Sequence, residues 1–268
     1  MKLRSMARLM LAATLVMPLS AAQAARMWML PTVSVIGGND PWVSVDAAIS
    51  NDLFTPEFPL PLDGLTVIAP DGTAGEATNP QRGQIRSTFD VHLRQPGTYR
   101  FASVVEDVSA FWMQDGQRRR WRGTREALAT EVPANAQQLR VTLNQRRVET
   151  YATRGAPSQG ALRPVNKGLE LVPVTHPTDL VAGEAARFRL LLDGQPARDL
   201  EVTVVPGESR YRNAANEVKL RTDADGMISI TWPAAGRYWL GASVRDTNSG
   251  MPNVGRVATY ATTFEVLP

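Results

Sequence analysis

Apolar and polar side chains alternate with a period of two along most of this chain, and the alternation is clearest between residues 168 and 205. Ala186, Phe188, Leu190 and Leu192 fall on one side of an extended segment, with Arg187 and Arg189 on the other. That is the mark of a strand with one buried and one wet face. Asp193-Gly194 breaks the run as a turn, and a second alternation follows with Leu200, Val202 and Val204 inward and Glu201 and Thr203 outward. Further strands are predicted at residues 217–222, 227–232, 237–244 and 256–266, with Ile228, Ile230 and Trp232 sharing a face. Thr222-Asp223-Ala224-Asp225-Gly226 predicts a hairpin turn in which Gly226 takes positive φ.

The N-terminal half reads as shorter strands at 29–36, 42–49, 65–69, 85–93 and 99–105, separated by turns such as Pro70-Asp71-Gly72. In the loop at 51–64, Pro56, Pro59 and Pro61 exclude a central strand and leave Phe54, Phe58, Leu60 and Leu62 on a loop. That loop either folds over an open sandwich edge or offers Phe54 and Phe58 to a partner. Residues 106–167 are the least regular, with one helix predicted at 124–131, capped by Thr124, and one strand at 147–154. Gly97-Thr98-Tyr99 and Gly236-Arg237-Tyr238 enter late strands in similar ways, where immunoglobulin-like sandwiches carry a tyrosine corner. The expected fold is all-β: two immunoglobulin-like or transthyretin-like β-sandwich domains in tandem, with one short helix in the connecting region. The units are a signal peptide at 1–24, an N-terminal sandwich at 25–115, an irregular connecting region at 116–167 and a C-terminal sandwich at 168–268.

Composition changes this picture at the N-terminus. Lys2, Arg4 and Arg8 precede an apolar run over 9–19, and Ala22-Gln23-Ala24 follows as a small-x-small cleavage site. These are the parts of a secretory signal, and the run is too short to span a bilayer. Of the 29 basic residues, 26 remain without Lys2, Arg4 and Arg8, which equals the 26 acidic ones, so the basic pI belongs to the leader. No field for nucleic acid or an anionic membrane follows. Arg118-Arg119-Arg120-Trp121-Arg122 then reads as a solvated turn or local ion-pairing, with an anion site as the alternative. The absence of cysteine excludes a lipoprotein, a disulfide framework and a cysteine nucleophile. After leader cleavage no membrane insertion is expected.

The familiar catalytic and phosphate-binding fingerprints are missing, so no enzyme is expected. An EF-hand frame with Gly226 at its sixth position puts Arg221 and Trp232 at ligand positions, and fails. A transition-metal site remains open, because imidazole and thioether suit nickel or copper. The donors are His92, His176, Met27, Met29, Met113, Met227 and Met251. His176 leaves a strand for a turn three residues before Asp179, which makes this pair the candidate metal ligands.

The run Gly168-Leu169-Glu170-Leu171-Val172-Pro173-Val174-Thr175-His176-Pro177, with Gly183-Glu184, Phe188 and Asp193-Gly194-x-Pro196, resembles domain of unknown function family 4198. Pro206-Gly207-x-x-x-Tyr211-Arg212, Thr222-Asp223-Ala224-Asp225-Gly226, Pro233-x-Ala235-Gly236-x-Tyr238-Trp239-Leu240 and Trp28-Met29-Leu30-Pro31 extend the resemblance over the chain after the leader. Members of that family are exported and often labelled nickel uptake transporter proteins. The resemblance implies a periplasmic, non-enzymatic binding or accessory protein for a transition metal, nickel among them, or a metal chelate. It further implies an outer-membrane receptor or metal transporter as partner. On this reading Tyr211 and Arg212 join His176 and Asp179 as ligand-loop candidates. The alternative is an interaction module that docks such a partner without holding metal. Family members often carry a histidine just before the Trp-x-Leu-Pro segment, where this chain has Arg26-Met27.

Overall fold

The structure, a computed structural model, describes residues 25–133, 135–208 and 214–268; the leader assigned to 1–24 lies outside them. The first strands are β1 (Arg26–Pro31), β2 (Val35–Ile36), β3 (Trp42–Ser50), β4 (Phe58–Pro59), β5 (Leu65–Ile68), β6 (Thr78–Arg82) and β7 (Ser87–His92). Two long strands, β8 (Gly97–Gln114) and β10 (Gln137–Arg154), flank β9 (Gln117–Gly123) and helix α1 (Arg125–Glu131). Next come β11 (Leu169–Pro173), β12 (Ala185–Leu192), β13 (Gln195–Pro196) and β14 (Glu201–Pro206). The chain ends with β15 (Val218–Arg221), β16 (Met227–Thr231), β17 (Gly236–Asp246) and β18 (Gly255–Val266). The chain is therefore nearly all β, as its alternation requires.

These strands form three open sheets. The largest runs β15-β14-β17-β18-β10-β8-β5, with β2 on β10 and β9 on β8. A second has the order β1-β3-β7-β6 with β4 on β3, and the third is β11-β12-β13 with β16 on β12. In the large sheet β10 and β18 run parallel, from Thr142 opposite Gly255 to Glu149 opposite Thr262. Strands from the two halves of the sequence thus meet in one hydrogen-bonded layer.

Side-chain direction sets the layers. Val148, Ala152 and Ala261 point into a core shared with Val43, Val45 and Phe89 of the β1-β3-β7-β6 sheet. Their neighbours Tyr151, Tyr260 and Phe264 point the other way, into a core shared with Phe188, Leu190 and Ile230 of the β11-β12-β13 sheet. The two smaller sheets therefore cover opposite faces of the large one, and β10 is covered on both. Every residue from 147 to 153 is buried.

This explains why the region from 116 to 167 is more regular than its sequence pattern suggests. A strand buried on both faces shows no alternation, and β10 buries Arg147, Glu149, Thr150 and Thr153 among its apolar residues. The expected strand at 147–154 is only the second half of β10. Helix α1 does form where it was expected, with Thr124 accepting from the Ala127 N–H at 3.3 Å. Its Leu128 packs with Trp121 beneath Ala110 and Trp112.

The polar groups inside the large sheet converge on one carboxylate. Glu149 is 1 % exposed. Its Oε1 accepts from Arg147 Nη1 at 3.1 Å, and its Oε2 accepts from the Tyr151 and Tyr260 hydroxyls at 3.2 and 2.9 Å. The Arg100 guanidinium lies 3.9 Å away. Burial first, and the Glu149 charge second, push both phenols far above their ordinary pKa, so they remain neutral donors. Arg147 also donates to Lys167 O, and Arg100 to Arg163 O, which ties the crossing into the third sheet to the same cluster.

Truncating Glu149 leaves Arg147 buried without its counter-charge, so Glu149→Ala is expected to cost about 3–5 kcal/mol in urea unfolding. Truncating exposed Glu201, which pairs with Lys219 at the surface, is expected to cost under about 1 kcal/mol. Equal costs for the two would remove the special standing of the buried carboxylate.

Candidate functional site

His176 sits at the junction of the halves and is half-buried. The turn after β11 carries it toward the start of β8. Its Nδ1 lies 3.3 Å from the Thr178 backbone N–H and 3.1 Å from Thr178 Oγ1. Its Nε2 lies 3.1 Å from Ser158 O and 3.0 Å from Thr98 Oγ1. A backbone N–H only donates and a carbonyl only accepts, so the proton sits on Nε2 and Nδ1 is the acceptor. Burial holds the imidazole below its ordinary pKa, against smaller upward pulls from Ser158 and Asp179. Thr98, Thr153 and Thr178 continue the chain of hydroxyls, Thr98 to Thr153 at 2.8 Å and Thr153 to Thr178 at 2.7 Å. His176 thus closes a hydrogen-bond network between β8, β10 and the turn before β12, with both ring nitrogens engaged.

The other sequence candidates are dispersed. Asp179 is exposed on the same turn, its backbone N–H bonded to His176 O at 3.1 Å. Tyr211 and Arg212 lie outside the described residues. Phe54 folds down edge-on to Trp28, at 5.5 Å between centroids, whereas Phe58 is 59 % exposed on β4. His92 stacks on Trp42 and contacts Asp40, remote in sequence and sheet from His176. Met29 is fully buried in the first core. Among the described residues no group of three or more His, Cys, Asp or Glu is placed to hold a metal ion. Asp223, tested above as a calcium ligand, uses Oδ1 to accept the Asp225 and Met227 N–H groups at 2.9 Å and shapes the turn.

The arginine run is resolved into a strand face. Arg118, Arg120 and Arg122 stand opposite Met113, Phe111 and Ser109 of β8. Arg118 lies 4.6 Å over the Phe111 ring, and Asp107 binds both Arg122 and Arg146. Desolvation raises the Asp107 pKa, but those two guanidiniums outweigh it and hold the carboxyl below its ordinary range. Within the run, Arg122 therefore pairs with a carboxylate and Arg118 with an aromatic ring.

A cleft of about 530 Å³ lies at the open end of the C-terminal half, between β15 and β16. Val204, Ile230, Trp232 and Tyr238 form its floor; Val218 and Leu220 line one side, and Ser229 and Thr231 the other. Trp232 has no exposed surface and packs on Tyr238 at 4.9 Å and Phe264 at 6.1 Å. Its Nε1 is buried and has no hydrogen-bond partner among the described residues. Buried indole N–H groups ordinarily find an acceptor, and leaving a donor unmade costs about 1–3 kcal/mol. The alternation of Ile228, Ile230 and Trp232 marked this face as inward. That its last member carries an N–H, two residues beyond an isoleucine and at a strand end, was the available sign of a polar contact at the rim.

A family model described as "Domain of unknown function (DUF4198)" matches residues 22–246. No curated protein matches the chain. Among solved structures, the D0-D1 domain of intimin is similar at 11% identity and a TM-score of 0.23, over 90% of this chain and 97% of that one. A D1-D4 ectodomain fragment of ICAM-5 gives 12% identity and 0.21, over 90% of this chain and 51% of that one. The two tandem V-type regions of VCBP3, a v-region-containing chitin binding protein, give 9% and 0.20, over 88% and 98%. At these TM-scores the likenesses carry no weight for fold or function.

The neutral tautomer of His176 has a pH consequence. Its folded pKa lies below the ordinary 6.5. Above that pH both folded and unfolded chains are neutral there, and the contribution to stability is complete. Below it the unfolded chain takes up a proton that the folded chain resists, so stability falls until the pH passes the folded pKa. Melting temperature measured from pH 7.5 to 5 is expected to drop in the wild type more steeply than in His176→Gln. Parallel curves would show that the ring is not held neutral.

Proposed function

The chain belongs to the DUF4198 family, and on that premise we propose that it is an exported, periplasmic accessory module without enzymatic activity. It serves transition-metal uptake, with nickel or a metal chelate as cargo, by docking an outer-membrane receptor or transporter rather than by holding the bare ion. Its two halves act as paired immunoglobulin-like sandwiches fused through the large sheet, which gives the docking surface a rigid frame. The observation that carries this reading is the open cleft beside β15 and β16, with the exposed Val218 side chain on its wall. Function on rigid sandwiches resides at such loop-rimmed ends. The His176 nitrogens support the same choice, since a metal ion would have to displace hydrogen bonds to Thr178 and Ser158.

Isothermal titration of the protein with nickel, cobalt and copper is expected to give no saturable heat, in the wild type and in His176→Ala alike. Micromolar binding in the wild type that disappears in His176→Ala would overturn the docking reading in favour of direct chelation.

The orphaned indole makes a second expectation. Trp232→Phe loses packing but also removes an unpaired donor worth about 1–3 kcal/mol. It is expected to change urea-unfolding stability by less than about 1.5 kcal/mol, well below the roughly 3–5 kcal/mol usual for deleting a fully buried aromatic side chain. A loss in that larger range would mean the N–H group has a partner.

A further inference from the structure

We propose that the partner enters this cleft as an extended peptide segment, which adds as a strand to the free edge of β16 and lays an apolar side chain against Val218 and Leu220. The proposal rests on reading the cleft as the docking site. The backbone of β16 supports it first. Gly226 O accepts from Leu190 N, Trp232 O accepts from Gly183 N, and Trp232 N donates to Glu184 O. In an antiparallel ladder alternate residues point the same way, so Ile228 and Ile230 also turn their backbone groups toward β12. Ser229 and Thr231 then point theirs at the opposite edge, where β16 has no neighbouring strand among the described residues. Met227 is already satisfied, its N–H and C=O both bonded to Asp223. What remains is two N–H and two C=O groups, spaced about 6.8 Å apart as in any strand, and both residues line the cleft.

The second support is that this edge is unguarded. Free edges in soluble proteins are usually protected by charge or proline. Across the cleft, β15 carries Lys219 and Arg221, paired with Glu201 and Asp199, and the edge strand β6 carries Pro80 and Arg82. The sequence of β16, Met-Ile-Ser-Ile-Thr, has neither charge nor proline. Val218, 48 % exposed, faces the space a new strand would fill.

These features specify the occupant. It is a segment of about five residues, uncharged where it faces Val218 and Leu220, in a cleft whose lining also includes Glu208 and Arg237. Apolar side chains face Val218 and Leu220, and its backbone N–H and C=O groups pair with those of Ser229 and Thr231. Main-chain pairing with pockets for alternate side chains is an established mode of peptide recognition. A folded second copy fits less well, because its own β15 stands across the same edge.

The probe is a short acetylated and amidated peptide, Lys-Ile-Thr-Val-Lys, compared with the same peptide N-methylated at its central residues. Binding is followed by the Trp232 indole signal and by the amide exchange of Ser229 and Thr231 in nuclear magnetic resonance. The unmethylated peptide is expected to shift the indole signal and slow both amides, with affinity at least about tenfold above that of the methylated one, the loss expected when about 1.4 kcal/mol of main-chain bonding is blocked. Ser229→Pro, which removes an outward N–H that β12 does not use, is expected to weaken binding by a similar factor. Equal affinity for the two peptides, with the indole shifted by both, would overturn strand addition and leave the cleft a binding site. No response of the indole or the two amides at millimolar peptide would overturn both. A dimer of the free protein that Ser229→Pro dissolves would replace the foreign strand with a second copy.

Discussion

The structure depends on a strand that is covered on both faces. Between Arg147 and Thr153, β10 has no wet side, yet it carries two charged groups and two threonines inside. Such a strand is tolerable only if each polar group is satisfied: Thr150 bonds Thr263, Thr153 bonds Thr98 and Thr178, and the charged pair is settled at Glu149. Glu149 neutralises Arg147, receives two phenolic hydroxyls, and sits beside β18 in the parallel pair that joins the halves. The opposed placement of the two smaller sheets follows, since each needs a different face of that same strand. Among the described residues Arg100 Nε remains buried without a partner, so the satisfaction is close but not complete.

Sequence legibility tracked solvent. β12, β14 and β16 were plain because one face of each is wet, and the alternation survives. The tyrosine corners were equally plain, and each closes as expected: Tyr99 OH accepts from Gln95 N at 2.7 Å, and Tyr238 OH donates to Ala234 O at 2.8 Å. Thr124 capped its helix, and the proline-rich loop folded Phe54 onto Trp28 rather than displaying it. What could not be read was β10 and the outer half of β8. Burial on both faces erases periodicity in the first, and β9 hides the second behind an arginine-rich text that looks like a loop. Pairing of β10 with β18 spans more than a hundred residues and leaves no local trace.

The candidate site was legible in composition and illegible in geometry. His176 stood out as one of two histidines, and its turn position suggested access. Folded, the ring is a bracket between β8, β10 and the following turn, with its lone pair engaged by Thr178. The cleft, by contrast, is made by the meeting of two sheet edges, and its chemistry lies in backbone groups that residue types alone do not reveal. Charged side chains tell a related story: Asp107, Glu149, Asp193 and Asp246 each hold arginines of this chain, so its most buried cations are engaged internally.

Hydrogen exchange under native conditions tests the central claim most directly. If β10 and β18 form one core that both halves require, their amides between 143 and 149 and between 256 and 262 exchange last and at a common free energy, equal to that of global unfolding. Persistent protection of β12 and β17 after β10 has exchanged would contradict it, because the C-terminal half would then stand without the strand on which both cores are built.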